Sequence, residues 1–226
     1  MTLFVGSDKI YNIHHGSDRI YRVYKGSDLV WKAYKINETV FTKTTSGSAT
    51  LNLIMPGQYR VRLVGAGGGG AYNSSDNRGS GAAGNSGGMW YGVVRLSEGT
   101  YTVNVGAGGA KSGGLDANTW GGNGGNTTLS LGGTTLILAG GGTGNHVWWP
   151  NSNAHNSIVS VANSVASSVQ QISVSSNVAG NWGGLAATAS GGASRYNGYG
   201  KGGDVRNRYA ADNGVGGYFS IEFVGE

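Results

Sequence analysis

The 226-residue chain has no cysteine. That excludes a disulfide framework and any thiolate metal site. Charge is scarce too, with Asp, Glu, Lys and Arg making up 12% of the residues. Long apolar runs are also missing. No stretch approaches the roughly 20 residues that a transmembrane helix needs, so no membrane insertion is expected. Met1-Thr2-Leu3-Phe4-Val5-Gly6 has neither the charged n-region nor the long apolar h-region of a secretory leader. Synthesis in a cytoplasm is the expectation, with any export by another route.

The modest positive charge is unevenly placed. Residues 1–64 hold nine Lys/Arg against four Asp/Glu, and residues 65–226 hold seven of each. A nucleic-acid binder carries a basic stripe on its main folded surface. The long part of this chain is neutral, so no nucleic-acid partner is expected. The N-terminal charges read as solvated residues between apolar strand positions.

Glycine is what the chain has instead: 45 residues, 40 of them after position 64. The runs are Gly65-Ala66-Gly67-Gly68-Gly69-Gly70, Gly106-Ala107-Gly108-Gly109, Gly121-Gly122-Asn123-Gly124-Gly125 and Gly140-Gly141-Gly142. Glycine loses the most backbone freedom on folding. Ordered runs of it therefore mark places where backbones approach too closely for a Cβ. Each run adjoins an alternating segment. Tyr59-Arg60-Val61-Arg62-Leu63-Val64 leads into Gly65, and Tyr101-Thr102-Val103-Asn104-Val105 into Gly106. Thr134-Thr135-Leu136-Ile137-Leu138-Ala139 leads into Gly140, while Tyr218-Phe219-Ser220-Ile221-Glu222-Phe223-Val224 follows Gly216-Gly217. Alternation with β-branched and aromatic residues marks half-buried strands. An all-β fold follows: a small sandwich whose glycine runs are cross-connections.

Residues 6–35 form three decapeptide repeats, each opening Gly-Ser-Asp at Gly6, Gly16 and Gly26. Gly-Ser-Asp is a turn signal, and the rest of each repeat reads as one short strand. Both strand faces are largely apolar, with Tyr21 and Val23 on one and Ile20 and Tyr24 on the other. A lone small sheet is marginal, so the repeats are expected to associate between subunits, most simply in a homotrimer. The expected organisation is residues 1–37 as an oligomerisation and attachment repeat, then 38–226 as a glycine-rich β-domain. Within it, residues 145–190 interrupt the glycine pattern and carry no Lys, Arg, Asp or Glu. Ile158, Val161, Val165, Val169 and Ile172 fit one helical face, yet Ser and Asn elsewhere disfavour a helix. Helix and irregular strand both stay open there.

The ordered succession from Gly65–Gly70 through Gly99-Thr100-Tyr101-Thr102-Val103-Asn104-Val105-Gly106 and Gly122-Asn123-Gly124-Gly125-Asn126-Thr127-Thr128 to Ala139-Gly140-Gly141-Gly142 resembles the glycine-rich C-terminal domain of bacteriophage tail fibres and tail-tip adhesins. The decapeptide repeats are similar to those preceding such domains. The resemblance implies a virion fibre or adhesin, assembled in the host cytoplasm, that binds the host surface. Its N-terminal part would join other tail or fibre proteins. The partner at the other end would be a surface glycan or an outer-membrane protein. A structural capsid or tail decoration fibre without receptor binding is the alternative. Related adhesins stack polyglycine II helices, left-handed with three residues per turn, and the runs here permit that packing. Segments such as 145–190, outside the matching pattern, carry variable recognition loops in that family.

No catalytic constellation stands out, and the protein is expected not to be an enzyme or to hold a cofactor. Gly65–Gly70 satisfies Gly-x-Gly-x-x-Gly, but the dinucleotide fingerprint needs a helix next, and Tyr72-Asn73-Ser74-Ser75-Asp76-Asn77 is turn-forming. His14-His15 could face a threefold axis in a trimer, but adjacent residues point to opposite sides of a strand, so only one of them could. They read as polar residues at a turn, and no metal site is expected there. Aromatics beside glycine or asparagine loops are the positive signal, since Trp and Tyr offer rigid contact area with a polar tip. The candidate receptor-binding residues are Trp148, Trp149, His146, Trp120, Trp182, Tyr196 and Tyr199.

Overall fold

The computed structural model describes residues 4–5, 8–9, 13–73, 80–114, 118–148, 154–155, 162–180, 190–207 and 210–226. Among them there is no helix, and the all-β expectation holds. Ten strands build the frame: β1 (Glu38–Lys43), β2 (Gly47–Leu53), β3 (Gly57–Val64), β4 (Met89–Leu96), β5 (Gly99–Val105), β6 (Thr127–Leu131), β7 (Thr134–Ala139), β8 (Ser164–Val165), β9 (Gln170–Val178) and β10 (Tyr218–Gly225). They form two five-stranded antiparallel sheets, in the orders β9-β4-β3-β10-β1 and β8-β7-β6-β5-β2.

The alternation in the sequence is what packs these sheets. Tyr59, Val61 and Leu63 of β3, Trp90 and Val94 of β4 and Phe219, Ile221 and Phe223 of β10 point inward. Leu51, Val103, Leu129 and Ile137 meet them from the second sheet. Each such side chain contributes roughly 1.5–3 kcal/mol by leaving water. Trp90 is core while Tyr91 faces outward, as a period of two requires. The Tyr59 hydroxyl, fully inside, donates to the Met55 carbonyl at 2.6 Å. Burial pushes its pKa up, with the Tyr34 and Tyr101 hydroxyls adding to the effect.

Residues 145–190, whose conformation the sequence left open, contribute the edge strands of both sheets, β8 and β9. Over residues 162–180 the helical reading fails, because Ser164–Val165 and Gln170–Val178 pair as strands, with Val165 and Val169 against the core and Ile172 exposed. Ile158 and Val161 lie outside the described residues. Part of this presumed recognition segment is therefore frame.

The N-terminal repeats correct the expectation of one strand per repeat. Ile13–His15 pairs with Asp18–Ile20, and Arg22–Lys25 with Asp28–Lys32. Each strand reverses through a two-residue Gly-Ser turn, with Gly16 at φ 62° and Gly26 at φ 63°. A positive φ at the first turn residue suits glycine and matches the twist of a tight hairpin. A repeat thus closes one hairpin and opens the next, switching partner at Tyr21, whose carbonyl accepts the Ala33 N–H at 2.9 Å. The third repeat also packs onto its own chain. Trp31, Ala33 and Tyr34 are buried in the sandwich core, and the Tyr34 ring lies 5.8 Å from Phe223. The Tyr34 hydroxyl donates to the Asn52 carbonyl at 3.2 Å.

The glycine runs assemble beside the sandwich into a lattice. Residues 65–70 run through its centre. The N–H groups of Gly65 and Gly68 donate to Gly88 and Asn85, those of Ala66 and Gly69 to Gly125 and Gly122, and those of Gly67 and Gly70 to Val215 and Asp212. The partner changes with a period of three, and each partner runs antiparallel. Carbonyls of the central segment accept from three others: Ala66 from Gly142, Gly67 from Gly109, and Gly68 from Gly203. Six segments therefore ring the centre. They also bond to one another in a closed circuit, through Gly88 to Gly140, Gly124 to Gly142, Gly122 to Ala110, Gly214 to Gly109, Val215 to Lys201 and Gly84 to Gly203.

At many glycines this spacing leaves no room for a Cβ. A Cβ on Gly68 would fall onto the Thr143 carbonyl, and one on Gly141 onto the Gly124 carbonyl. Close backbone approach, rather than turn geometry, is why these positions are glycine. Asparagine satisfies the outward N–H groups. Asn123 and Asn126, three residues apart, accept from Gly144 at 2.9 Å and Gly141 at 2.8 Å, and Asn163 accepts from Gly140 at 3.0 Å.

Thr127 fastens lattice to sandwich. Its buried hydroxyl donates to the Val64 carbonyl at 2.7 Å and accepts the Gly106 N–H at 3.2 Å.

Candidate recognition surface

The lattice has two distinct ends. At one end β3, β5 and β7 feed segments 65–70, 106–110 and 140–145, while 84–88, 121–125 and 212–217 return into β4, β6 and β10. At the other end these segments open into short strand pairs. Ala71–Asn73 pairs with Ser80–Ala82 and with Ser112–Gly114. Asn118–Trp120 pairs with His146–Trp148, which pairs in turn with Ala154–His155. Val205–Asn207 pairs with Ala210–Ala211. The far end is thus built of connections displayed on a glycine scaffold, the arrangement in which loops on a rigid frame usually carry recognition.

The candidate aromatics divide between the two ends. At the far end, register sets Trp120 opposite His146. Their rings stack at 3.8 Å with planes 14° apart. Trp120 is 59% exposed, whereas His146 is 2% exposed. His146, expected at the surface, is instead the buried floor that fixes the tryptophan plane. Trp148 lies in the same strand as His146, opposite Asn118. Trp149 and Trp182 lie outside the described residues.

Tyr196 and Tyr199 belong to the sandwich end. They bracket a tight turn with positive φ at both Asn197 (46°) and Gly198 (88°), the signature of an Asn-Gly hairpin turn. Both rings lean on Tyr218, at 4.9 Å and 5.0 Å. Beside them the outer face of the first sheet carries residues that the sequence reading did not single out. Arg62 is opposite Tyr91 on β4 and Ser220 on β10. Its guanidinium lies 4.1 Å from the Tyr91 ring centre and 4.0 Å from that of Tyr196. Arg60 pairs with Glu222 at 2.8 Å. The alternation of β3 does predict that Arg60 and Arg62 face away from the core. Which aromatics flank them depends on strands distant in sequence.

Two ion pairs, Lys201–Asp204 and Arg206–Asp212, stand near the remaining lattice. Lys201 meets Asp204 at 2.6 Å, and the Asp204 carboxylate also accepts the Gly191 N–H at 2.7 Å. Burial alone would raise the Asp204 pKa, but these partners outweigh it and hold the carboxyl below its usual range. Among the described residues no cluster of His, Asp or Glu is arranged to hold a metal ion.

The fold and this surface define an all-β protein in which a sandwich anchors a glycine lattice bearing displayed loops. The chain belongs to the glycine-rich domain family, whose model matches residues 44–225. No curated protein matches it.

Proposed function

We propose that this chain is a virion fibre or adhesin component that adsorbs to the host surface through the connections at the far end of its glycine lattice. The observation carrying this reading is Trp120, largely exposed yet held flat on the buried His146 ring. An aromatic plane with its orientation fixed loses little conformational entropy on binding, and it suits a sugar ring or a protein loop. The seven lattice segments are read as polyglycine II helices. The period of three in their hydrogen bonds supports this. They would give the tip a stiff support without a large apolar core. The N-terminal hairpins would join the chain to a homotrimer and to other virion proteins, so that several weak tips act together.

The test is adsorption of purified protein to host cells or their envelopes. Trp120→Ala should cut adsorption, by on the order of 1–3 kcal/mol per site for a contact of this kind, and leave the melting temperature in place. Undiminished adsorption by the variant would exclude the Trp120 surface and favour a structural fibre.

A further inference from the structure

The clamped arginine at the sandwich end has no role in the tip reading. The Arg62 guanidinium carbon lies over two tyrosine rings, 4.1 Å from the centre of Tyr91 and 4.0 Å from that of Tyr196. Stacking of this kind fixes the plane of the group and leaves its edge, with the N–H fork, available for hydrogen bonds. Among the described residues Arg62 forms no ion pair. Among the described residues that line the cleft the one carboxylate, Glu222, is engaged by Arg60 at 2.8 Å. Arg60, Arg62 and Glu222 together leave one uncompensated positive charge. The cleft is about 180 Å3, smaller than the roughly 300–1,000 Å3 of drug-sized pockets. Thr39, Thr42, Tyr218 and Ser220 supply hydroxyls around it. One oriented fork in a small, hydroxyl-lined cleft matches one planar anion on a small polyhydroxylated ring.

We propose that this cleft is a binding site for the carboxylate of an acidic sugar residue, of the uronic acid type. The Arg62 fork takes the two carboxylate oxygens side by side, the geometry for which arginine is suited and lysine is not. Surrounding Thr, Ser and Tyr hydroxyls meet the ring hydroxyls. The site lies at the opposite end of the lattice from Trp120 and stands or falls independently of it.

The experiment is titration of the full chain with glucuronate, followed by calorimetry or by chemical shifts of the tyrosine rings. Glucose, glucose 6-phosphate and an acetylated glutamate serve as comparison ligands. Saturable binding of glucuronate with at least about tenfold weaker binding of all three comparison ligands is expected. Arg62→Gln should abolish it, and Arg62→Lys, which keeps the charge but loses the fork, should weaken it at least about tenfold. Both variants should keep the parent melting temperature, because Arg62 is on the solvent face of β3. If Arg62→Gln does unfold, Tyr196→Leu, which removes one of the two rings under the guanidinium, is expected to weaken glucuronate binding instead. Equal binding of glucose would overturn the proposal. So would preference for the phosphate, equal binding of the acetylated glutamate, unchanged binding by Arg62→Lys, or no glucuronate binding at all.

Discussion

The Asn126 side chain accepts the Gly141 N–H at 2.8 Å, standing in for a backbone neighbour that the outer face of segment 140–144 lacks. Asn123, one period earlier, does the same for Gly144. The Gly-Gly-Asn-Gly-Gly-Asn run is therefore a threefold pattern in which every third side chain caps the next segment. Asn126→Ala would leave the Gly141 N–H without its acceptor. A cost of about 1 kcal/mol is expected, read as a fall of roughly 2–4 °C in melting temperature. Asn123→Ala should cost a similar amount. A melting temperature unmoved in the double variant would mean that water replaces both caps.

Glycine packing makes a sharper test, because two glycines in the same lattice differ. A Cβ at Gly68 would land on the Thr143 carbonyl, a backbone atom that cannot swing aside. At Gly216 the nearest atom is the Gly106 oxygen at 3.6 Å, ordinary contact. Gly68→Ala should destabilise by at least the roughly 1–3 kcal/mol of an overpacked core, whereas Gly216→Ala should be nearly silent. Thermal melts of the two single-methyl variants would decide it. Equal melts would mean that the central segment is not close-packed.

Thr127 lets the junction of lattice and sandwich be probed alone. Thr127→Val keeps the shape of the side chain but strips the Val64 carbonyl and the Gly106 N–H of the hydroxyl between them. Buried polar groups left in this way cost about 1–3 kcal/mol. Denaturant titration should show a lower midpoint at an unchanged slope. A stable variant would show that the two ends of the junction find other partners.

How far the sequence reaches can be judged from particular residues. Tyr59, Val61 and Leu63 announce their burial through strict alternation, and the glycine runs announce close approach. Strand β9 announces little, because it is an edge strand of Gln, Ser and Asn whose apolar Ile172 and Val174 remain exposed. The loop-like neighbours of His146 in sequence point to a surface group, but its strand pairs on both sides and Trp120 covers it. The Arg62 clamp was invisible for a topological reason: Tyr91 and Tyr196 lie far along the chain, and only sheet register and the Asn197-Gly198 turn bring them to one arginine.

Acid should loosen the joint between the third repeat and the sandwich. Burial opposes ionisation of Glu38, but the Lys35 N–H at 2.9 Å and the Lys32 ammonium at 3.0 Å outweigh it, and the pKa is lowered. A carboxylate with a lowered folded pKa adds stability above its unfolded value. That stability disappears as pH falls through the folded value. The loss should therefore begin below about pH 4.5. Glu38→Gln should flatten this part of the pH dependence of the melting temperature and make little difference at pH 7 beyond the loss of the pair itself. An acid profile identical to the parent's would remove Glu38 as its source.

Association through the N-terminal hairpins needs a truncation that respects the core. Removing residues up to Ile36 would strip Trp31, Ala33 and Tyr34 from Tyr59 and Phe223. Loss of oligomer in that variant would then reflect an opened sandwich. A chain shortened to begin at Tyr21 keeps those three residues and the Tyr21 carbonyl that holds Ala33. It gives up the Ile13–His15 and Asp18–Ile20 hairpin and the Arg19–Glu226 ion pair at 3.0 Å, a contact whose loss costs little at a partly exposed site. If the first hairpin assembles the protein, the full chain sediments as a trimer and the shortened chain as a folded monomer, with a melting temperature at high dilution lowered only by the loss of the partly buried Ile13 and Ile20 from the edge of the core. A shortened chain that remains trimeric would move the interface to the retained Arg22–Lys25 and Asp28–Lys32 hairpin or to the glycine-rich part. A full chain that is monomeric at micromolar concentration would remove the trimer altogether.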